Sequence, residues 1–272
     1  ITREMTVRDL LVHRSGLGLG AGDLLFVPRS SLTRADVVER LGNIPIKNDF
    51  RGSYAYDNIL YMVAGRLIER VSGQSWEQFT TERILRPAGM TRATVQNDQR
   101  GDERLIADPH ARIDGPIRGL GTMERLDDSL VVAQVAAPAG GIAASANDMA
   151  RWIEAQLAHG DLPDTGPEDR RLFSEEQGRE MWKPAVLMPA PGFPAPLDQT
   201  APLFNTYALG WNVRDYHGTR VIMHGGGVYG SITRLILLPE QDVGIFLATN
   251  SEEAGLLTGL QFELIDHYLG IE

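Results

Sequence analysis

The order of hydrophobic patterns along this chain constrains its fold more than any single motif does. Up to about residue 182 the apolar residues recur mostly at helical spacing, and after Asn205 the pattern changes to short β-rich runs. The runs span residues 207–214, 219–224, 232–238 and 243–248. Short turns join them, which is typical of an antiparallel meander. We therefore predict an α+β fold, helical first and then a sheet.

A closing helix is predicted after Ser251. Its stripe of Leu256, Leu260, Leu264 and Tyr268 would cover the sheet, and Gly270 would end it. The length of 272 residues allows one large domain or two small ones, and we predict one, over residues 1–272. In this prediction residues 1–185 form a mainly helical lobe, and residues 186–272 form a proline-rich crossing loop, the antiparallel strands and the closing helix.

The stretch Tyr54–Gly73 predicts the central helix of the helical lobe. Its apolar residues at 60, 63, 67 and 71 fall on one helical face. Asp57 or Asn58 can cap the helix start, because a short side-chain acceptor there serves the free N–H groups of the first turn. Tyr56 and Asn58 would then stand at the mouth of a buried helix, held rigidly but reachable. The plainer interpretation is that Tyr56 is a core aromatic beside a capping asparagine.

Short polar residues predict the other helix starts. The predicted caps are Thr6, Thr33, Ser75 with Gln78 as a capping box, Ser145 or Asn147, and Ser174. Residues 96–126 are polar and irregular and are predicted to be a long surface excursion. Residues 161–202 hold eight of the 15 prolines, and outside the short helix after Ser174 they are predicted to be an ordered lid or crossing loop, or else a plain surface linker. The glycines at 16, 18, 20 and 22 imitate a dinucleotide-binding fingerprint, but that motif follows a strand and opens a helix. Here the glycines follow a predicted helix, so we reject that function.

Composition excludes several classes of function. The formal net charge of −10 disfavours nucleic acid as a partner. Cysteine is absent, which excludes disulfides, thiolate metal sites and a cysteine nucleophile. No apolar run is long enough to span a membrane. The histidines show no metal-ligand spacing, so we predict no metal and no cofactor.

A second candidate site is His224-Gly225-Gly226-Gly227. The pattern predicts that His224 ends a strand, and the glycines after it allow a ligand or another backbone to approach closely. A main-chain N–H group at such a strand end can form half of an oxyanion hole. Gly225, Gly226 and Gly227 are therefore candidate oxyanion and substrate-binding residues. The alternative is a flexible turn with a surface histidine.

Five stretches of the chain, taken together, carry a family resemblance. They are Thr6–Leu17, Tyr56–Asn58, Ile84–Thr91, Pro138–Gly141 and His224–Gly226. In that order they resemble the penicillin-recognising serine hydrolases of the class C β-lactamase type, which include D,D-peptidases, D-aminopeptidases and related carboxylesterases. The resemblance covers essentially the whole chain and implies a β-lactamase/transpeptidase-like fold. It also suggests a bacterial, periplasmic or secreted protein, with a cytoplasmic one left open.

The resemblance has one large departure, at the nucleophile. That family carries its serine in a Ser-x-x-Lys motif, and this chain has none, because Lys47 and Lys183 follow Ile44 and Glu180 at that spacing. The resemblance implies that the serine, the lysine and the first strands of the sheet lie upstream of Ile1. We therefore interpret the chain as a C-terminal portion of the catalytic domain, although a pseudoenzyme that never had the motif is possible.

The resemblance implies roles for the candidate residues. A serine would attack a carbonyl and form an acyl-enzyme. Tyr56 would take part in proton transfer, Asn58 would hydrogen-bond the substrate amide or the lysine, and His224 would stand beside the substrate carboxylate or carbonyl. The Gly227 N–H group would be one oxyanion donor. The expected partners are a small-molecule acyl substrate and the upstream segment with Ser-x-x-Lys.

The substrate prediction has alternatives. We expect small esters or D-amino-acid amides and peptides, since His224 stands where a β-lactamase-like site usually has a lysine that can pair with a carboxylate. The alternatives are a β-lactamase, or a non-catalytic module that binds penicillin-like or acyl ligands without turnover.

Overall fold

The computed structural model of the protein describes residues 3–95, 105–115, 119–127, 129–162, 171–192, 195 and 197–271. Within these ranges the helices are α1 (Val7–Leu11), α2 (Arg34–Arg40), α3 (Asn58–Ser72), α4 (Trp76–Thr80), α5 (Ala137–Gly140), α6 (Ala146–Leu157), α7 (Glu175–Met181) and α8 (Ala254–Leu269). The strands are β1 (His110–Arg112), β2 (Met123–Arg125), β3 (Val186–Leu187), β4 (Asn205–Tyr207), β5 (Asn212–Tyr216), β6 (Thr219–Val228), β7 (Ser231–Leu238) and β8 (Val243–Thr249).

The main sheet is an antiparallel meander. Its six strands lie in the order β3-β4-β5-β6-β7-β8, each paired with its sequence neighbours. A separate pair, β1 and β2, forms inside the segment that was predicted to be irregular. The predicted α+β fold, with helices, an antiparallel sheet and a closing helix, is confirmed. The boundary predicted between residues 185 and 186 stays a prediction.

The sheet has a hydrophobic cluster on each face. One cluster joins it to α6 and the end of α7, and includes Ile153, Trp182, Trp211, Val213 and Ile222. The other joins it to α8, and includes Tyr216, Ile236, Leu238, Phe262 and Ile265. A third cluster surrounds the start of α3, and includes Leu10, Phe26, Val37, Ile59 and Met62. The helical part therefore meets one face of the sheet, and α8 covers the other.

Two strand predictions were wrong. The run 207–214 is divided between β4 and β5, because the chain reverses at Ala208–Trp211, where the Ala208 N–H group bonds the Trp211 carbonyl at 2.7 Å. The run that was expected to stop at His224 continues to Val228. Pairing with β7 runs from Ile222 to Val228, and a main-chain ladder does not need side chains. His224 therefore lies inside a strand, and the glycines after it are not a turn.

Two helix faces were also predicted wrongly. In α3 the buried residues are Ile59, Leu60, Met62 and Gly65, while Leu67 is partly exposed and Val71 is 80% exposed. Helices α1, α2, α4 and α5 all contact α3, and the side that carries Val71 is left exposed. In α8 the buried residues are Leu257, Gln261, Phe262 and Ile265, while Leu256, Leu260 and Tyr268 are exposed. Apolar side chains surround α8, so the pattern allowed more than one face and packing selected one.

The residues predicted to cap helices agree with the structure more closely than the predicted buried faces do. Thr6, Thr33 and Ser145 form complete capping boxes. Ser75 accepts from the Gln78 N–H group, but the Gln78 side chain binds Glu82 and does not return to the cap, so that box is only half formed. Gly270 ends α8 in a left-handed conformation, as predicted.

Parts of the predicted segments 96–126 and 161–202 lie outside the described residues, at 96–104, 116–118, 163–170, 193, 194 and 196. Among the helices that the structure does describe, none has both the length and the apolar composition needed to cross a membrane.

Candidate active site

The first wall of the site is the start of α3, which we call the helix-side wall (Tyr56–Asn58). The glycine-rich loop before α2 holds it: the Gly20 N–H group bonds the Tyr56 carbonyl at 2.8 Å, and the Ala21 N–H group bonds the Asp57 carboxylate at 3.0 Å. Asp57 therefore occupies the cap position without capping the helix with its side chain. The glycines that imitated a dinucleotide motif support the Tyr-x-Asn segment.

A glycine is needed in that loop at one point in particular. Gly22 has φ +88°, and a Cβ atom there would lie 2.6 Å from the Ile59 Cδ1 atom in the first turn of α3. Any other residue would combine a left-handed backbone with this clash. The close approach of the loop to the helix start thus depends on Gly22.

The histidine His13 lies directly behind Tyr56. Its ring is fully buried, with the ring centroids of Tyr56 at 4.1 Å and of Tyr61 at 5.2 Å. Tyr54 and Tyr207 approach it edge-on, at 5.8 and 4.9 Å. His13 is therefore enclosed by four tyrosines, and one of them is the candidate proton-transfer residue.

The second wall is part of β6, which we call the strand-side wall (His224–Gly227). Strand β5 pairs with β6 only as far as Met223, while β7 continues to pair with β6 up to Val228. One edge of the strand-side wall is therefore outside the β5 ladder. Gly226 and Gly227 are exposed there, which is the setting that an oxyanion donor needs.

The glycines of the strand-side wall also have neighbours that limit substitution. A Cβ atom on Gly225 would lie 2.5 Å from the Arg234 guanidinium, and one on Gly226 would lie 2.7 Å from the Thr233 hydroxyl. A Cβ atom on Gly227 would meet nothing within 4 Å. The first two glycines fit against β7, and the third has open space.

The two walls meet through aromatic rings. The Tyr56 and His224 ring centroids are 6.3 Å apart, and the Tyr207 hydroxyl lies 2.8 Å from His224 Nε2. His224 Nδ1 donates to the Gly225 carbonyl at 2.7 Å, because a carbonyl can only accept. Neutral His224 therefore carries its proton on Nδ1, and Nε2 accepts from Tyr207. The structure thus brings together Tyr56, Asn58, His224 and the glycines that the sequence singled out.

The helix-side wall contains one carboxylate, Asp57, and lies beside a second, Asp23. Burial raises the pKa of Asp57 to about 7, and the charge of Asp23 adds to this, while bonds from the Ala21 N–H group and the Ser15 hydroxyl oppose it. Burial also raises the pKa of Asp23, whose carboxylate lies 3.4 Å from the Asn58 amide nitrogen. The negative charge of Asp23 is best placed to attract a cation near Asn58.

The phenol of Tyr56 is protonated at neutral pH. Burial raises its pKa above the ordinary value, and the charge of Asp23 raises it further. Proton abstraction by Tyr56 would therefore need a positive neighbour, since an opposite charge favours the ionised phenol. The lysine of a Ser-x-x-Lys motif is a group of that kind.

Burial lowers the pKa of His224, and the charge of Arg234 lowers it further, against the opposing effect of the bond to Gly225. His224 is therefore neutral at neutral pH. Its two ring nitrogens bond Gly225 and Tyr207, and the neutral ring cannot supply the full positive charge of a lysine.

An apolar cavity of about 370 Å³ adjoins the strand-side wall. Its lining includes Met149, Trp152, Trp211, His224, Gly225 and Thr233. Within the described ranges no three side chains of the His, Asp and Glu types are placed to hold a metal ion.

Three residues of this site were not found from the sequence. His13, Asp23 and Tyr207 contact or charge the candidate residues, but none has a spacing that marks it. His13 does fall in the Thr6–Leu17 stretch of the family resemblance, which is the one signal that was available.

The sequence profile of the beta-lactamase family matches residues 2–265. The chain belongs to the beta-lactamase family. An unguisins hydrolase from Aspergillus violaceofuscus is 27% identical over 99% of this chain and 47% of its own length. Penicillin-binding protein 4 of Amycolatopsis lactamdurans is 23% identical over 100% of this chain and 66% of its own length. The chain spans about half the length of the first of these curated relatives.

Solved structures share the fold of this chain. The D-amino acid amidase from Ochrobactrum anthropi SV3, in complex with L-phenylalanine amide, matches 98% of this chain and 71% of its own, with a TM-score of 0.69 and 20% identity. The β-lactamase/transpeptidase-like fold implied by the resemblance is therefore confirmed. The family is one of hydrolases of the β-lactamase type.

Proposed function

We propose that this chain supplies the proton-transfer residue and the substrate-binding strand of a serine hydrolase that forms an acyl-enzyme. The observation that carries the proposal is the meeting of Tyr56 and His224, whose rings lie 6.3 Å apart across the two walls. The Ser-x-x-Lys nucleophile would come from a segment outside residues 1–272. A polypeptide that contains both residues 1–272 and the Ser-x-x-Lys segment is the nucleophile-bearing protein.

In this proposal each residue has one role. The lysine ammonium lowers the pKa of Tyr56 and favours its phenolate form. The serine attacks the substrate carbonyl, and its proton passes to the Tyr56 phenolate. Tyr56 then returns a proton to the leaving group. Asn58 hydrogen-bonds the substrate amide or the lysine, and the Gly227 N–H group donates to the developing oxyanion. His224 places a neutral ring beside the carbonyl, with its nitrogens bonded to Gly225 and Tyr207.

We propose small esters or D-amino-acid amides and peptides as substrates. Neutral His224 supports this choice, because a charged hydrogen bond to a carboxylate is stronger than a neutral one. The apolar cavity beside His224 and Gly225 has room for an apolar acyl group or side chain. A relative named for amidase action on D-amino acids is consistent with it.

Two alternatives have support of their own. A match to a penicillin-binding protein favours a site that accepts β-lactams. The absence of Ser-x-x-Lys from residues 1–272 favours a binding module without turnover, if no other segment supplies that motif. The first alternative differs from the proposal in substrate, and the second differs in whether any covalent intermediate forms.

The experiment compares residues 1–272 with the nucleophile-bearing protein. Residues 1–272 alone should give no burst of p-nitrophenol from a short-chain p-nitrophenyl ester and no covalent labelling by a fluorophosphonate probe. The nucleophile-bearing protein should give both, with one label on the serine of Ser-x-x-Lys.

Either of two results contradicts the proposal. A stoichiometric burst from residues 1–272 alone would place the nucleophile within this chain. Full-length coding sequence without Ser-x-x-Lys, together with saturable ligand binding and no burst, would establish the binding module.

A further inference from the structure

His13 has a backbone conformation that needs a reason. Its φ is +55°, in the left-handed region that is uncommon for residues other than glycine, although histidine adopts it more often than most. The loop around it is held by the buried carboxylate of Asp9, which binds Arg14 and Arg51 at 2.7 Å each. Arg14 follows His13, and Arg51 precedes Tyr56 in the chain. The two ion pairs therefore connect the segment that carries His13 to the segment that carries Tyr56, and they keep His13 in place.

Three contacts connect His13 to Tyr56 and its two neighbours. The His13 carbonyl accepts from the Ala55 N–H group at 2.9 Å, and the His13 Nδ1 atom accepts from the Asp57 N–H group at 3.0 Å. The His13 ring lies against the Tyr56 ring, with 4.1 Å between centroids and 32° between planes. The main chain on each side of Tyr56 and its side chain therefore all rest on one residue.

The left-handed backbone explains how one residue makes all three contacts. With φ at +55° the carbonyl of His13 faces Ala55 while its ring turns toward Asp57 and Tyr56. The tyrosine Tyr61 then closes the other approach to the ring, and its own hydroxyl donates to the Leu11 carbonyl at 2.8 Å. Tyr61 thus packs against the same His13 ring that the Tyr56 ring contacts.

We propose that His13 is the positioning residue of Tyr56, and that it holds the phenol in reach of the reacting serine and leaving group. This rests on the proposed function, in which Tyr56 transfers the proton. His13 itself does not transfer one, since its Nδ1 lone pair is engaged by Asp57 N–H and its ring is fully buried. Burial and the neighbouring His224 also lower the pKa of His13 to about 3, so the ring stays neutral.

The test replaces His13 by asparagine in the nucleophile-bearing protein. Asparagine tolerates a left-handed backbone and its side-chain oxygen can accept from Asp57 N–H, but it has no ring to place against Tyr56. We expect kcat for a p-nitrophenyl ester to fall roughly 10- to 100-fold, because a displacement of about 1 Å in a reacting group has an effect of that size. KM should stay within about twofold, since ground-state binding does not use the phenol's exact position. His13→Ala should lose more than His13→Asn, because it also loses the acceptor.

His159→Asn is the matched control. His159 also has a left-handed backbone, with φ +47°, and its ring also lies against an aromatic side chain, Trp182, at 4.6 Å. It has no contact with Tyr56, Asn58 or His224 among the described hydrogen bonds and ring pairs. Its kcat and KM should match wild type, and any fall in melting temperature gives the general effect of such a substitution.

The outcomes separate the two proposals. If Tyr56→Phe leaves kcat unchanged, the proposed function fails. If Tyr56→Phe lowers kcat but His13→Asn does not, or if His13→Asn and His159→Asn lower it equally, His13 is structural and the inference is overturned. A loss confined to KM overturns it as well.

A second measurement needs no activity and no variant. In wild-type residues 1–272, nuclear Overhauser effects should connect the rings of His13 and Tyr56, and ¹⁵N shifts should show the proton of His13 on Nε2. Absence of the ring contact, or a proton on Nδ1, would overturn the inference even if the His13 variants failed to fold.

Discussion

The two walls of the candidate site are held by different kinds of contact. The helix-side wall depends on side chains and loops, because His13, Asp57 and the glycine-rich loop each bond or pack against the start of α3. The strand-side wall depends on the main-chain ladder between β6 and β7. A ladder survives most side-chain changes, whereas a buried polar contact does not. Side-chain substitutions should therefore move the helix-side wall out of position. In the strand-side wall they should leave the backbone in place and change only the contacts that the side chains offer to a substrate.

Burial shifts the pKa of a titratable group in each wall, and the two shifts have opposite directions. Burial raises the pKa of the acid Asp57, and burial lowers the pKa of the base His224. In each case the low-dielectric surroundings disfavour the charged form. The ionisable groups Asp23 and Arg234 also lie beside the two walls, and a cation from elsewhere would act strongly in such low-dielectric surroundings.

The largest effect is expected at the helix-side wall. There Asp57→Asn should change how the free energy of unfolding depends on pH. The pKa of Asp57 is about 7 when folded and the ordinary value is 3.8, so between these values only the folded protein binds the proton. The free energy of unfolding contributed by Asp57 is full below about pH 4 and falls as pH rises toward about pH 7, by at most about 4 kcal/mol at 1.36 kcal/mol per pKa unit. The variant should lose this fall.

Urea unfolding of residues 1–272 at several pH values measures it. The useful quantity is the difference between variant and wild type, because His13 and His224 have lowered pKa values and make stability rise with pH in both proteins. Asp49→Asn removes an exposed carboxylate nearby and should keep the wild-type pH dependence. Parallel curves for wild type and Asp57→Asn would mean that Asp57 is ionised in the folded protein.

The next effect is expected for chemistry at the helix-side wall. Tyr56→Phe in the nucleophile-bearing protein should lower the acylation rate by about 100-fold or more, which is the usual size for a lost proton-transfer group. The melting temperature should change little, because the ring remains. Tyr54→Phe removes a hydroxyl from the adjacent tyrosine and should leave the rate unchanged. A kept rate with a lowered melting temperature would identify Tyr56 as a core aromatic.

The smallest effect is expected at the strand-side wall. Wild type should hydrolyse short-chain p-nitrophenyl esters with a higher kcat/KM than nitrocefin. His224→Lys should shift that ratio toward nitrocefin by about fivefold, since a charged hydrogen bond to a carboxylate contributes about 1 kcal/mol more than a neutral one. The pKa of His224 is lowered from the ordinary histidine value of 6.5. The kcat/KM of wild type for nitrocefin should therefore rise only at a pH below 6.5, where His224 begins to gain a proton.

The control for this variant is His217→Lys, which adds the same charge on the exposed turn after β5. It should leave the ester-to-nitrocefin ratio unchanged. A wild-type preference for nitrocefin over every ester and D-amino-acid amide would replace the proposed substrates by β-lactams.

The sequence by itself determined the features that local chemistry sets. The capping boxes at Thr6, Thr33 and Ser145, the end of α8 at Gly270 and the sequential order of the strands depend on residues close together in the chain. Such contacts form wherever the segment lies in the fold, so a pattern of a few residues predicts them.

Only the tertiary structure decided which faces are buried and how Tyr56 is held. The buried sides of α3 and α8 differ from the predicted stripes, because a helix with apolar residues on several sides buries the side that its neighbours cover. The contacts of His13 with Tyr56, and of Tyr207 with His224, join segments far apart in the chain. No spacing encodes them, since the first needs the segments after α1 and before α3 to pack together, and the second needs β4 and β6 to lie in one sheet.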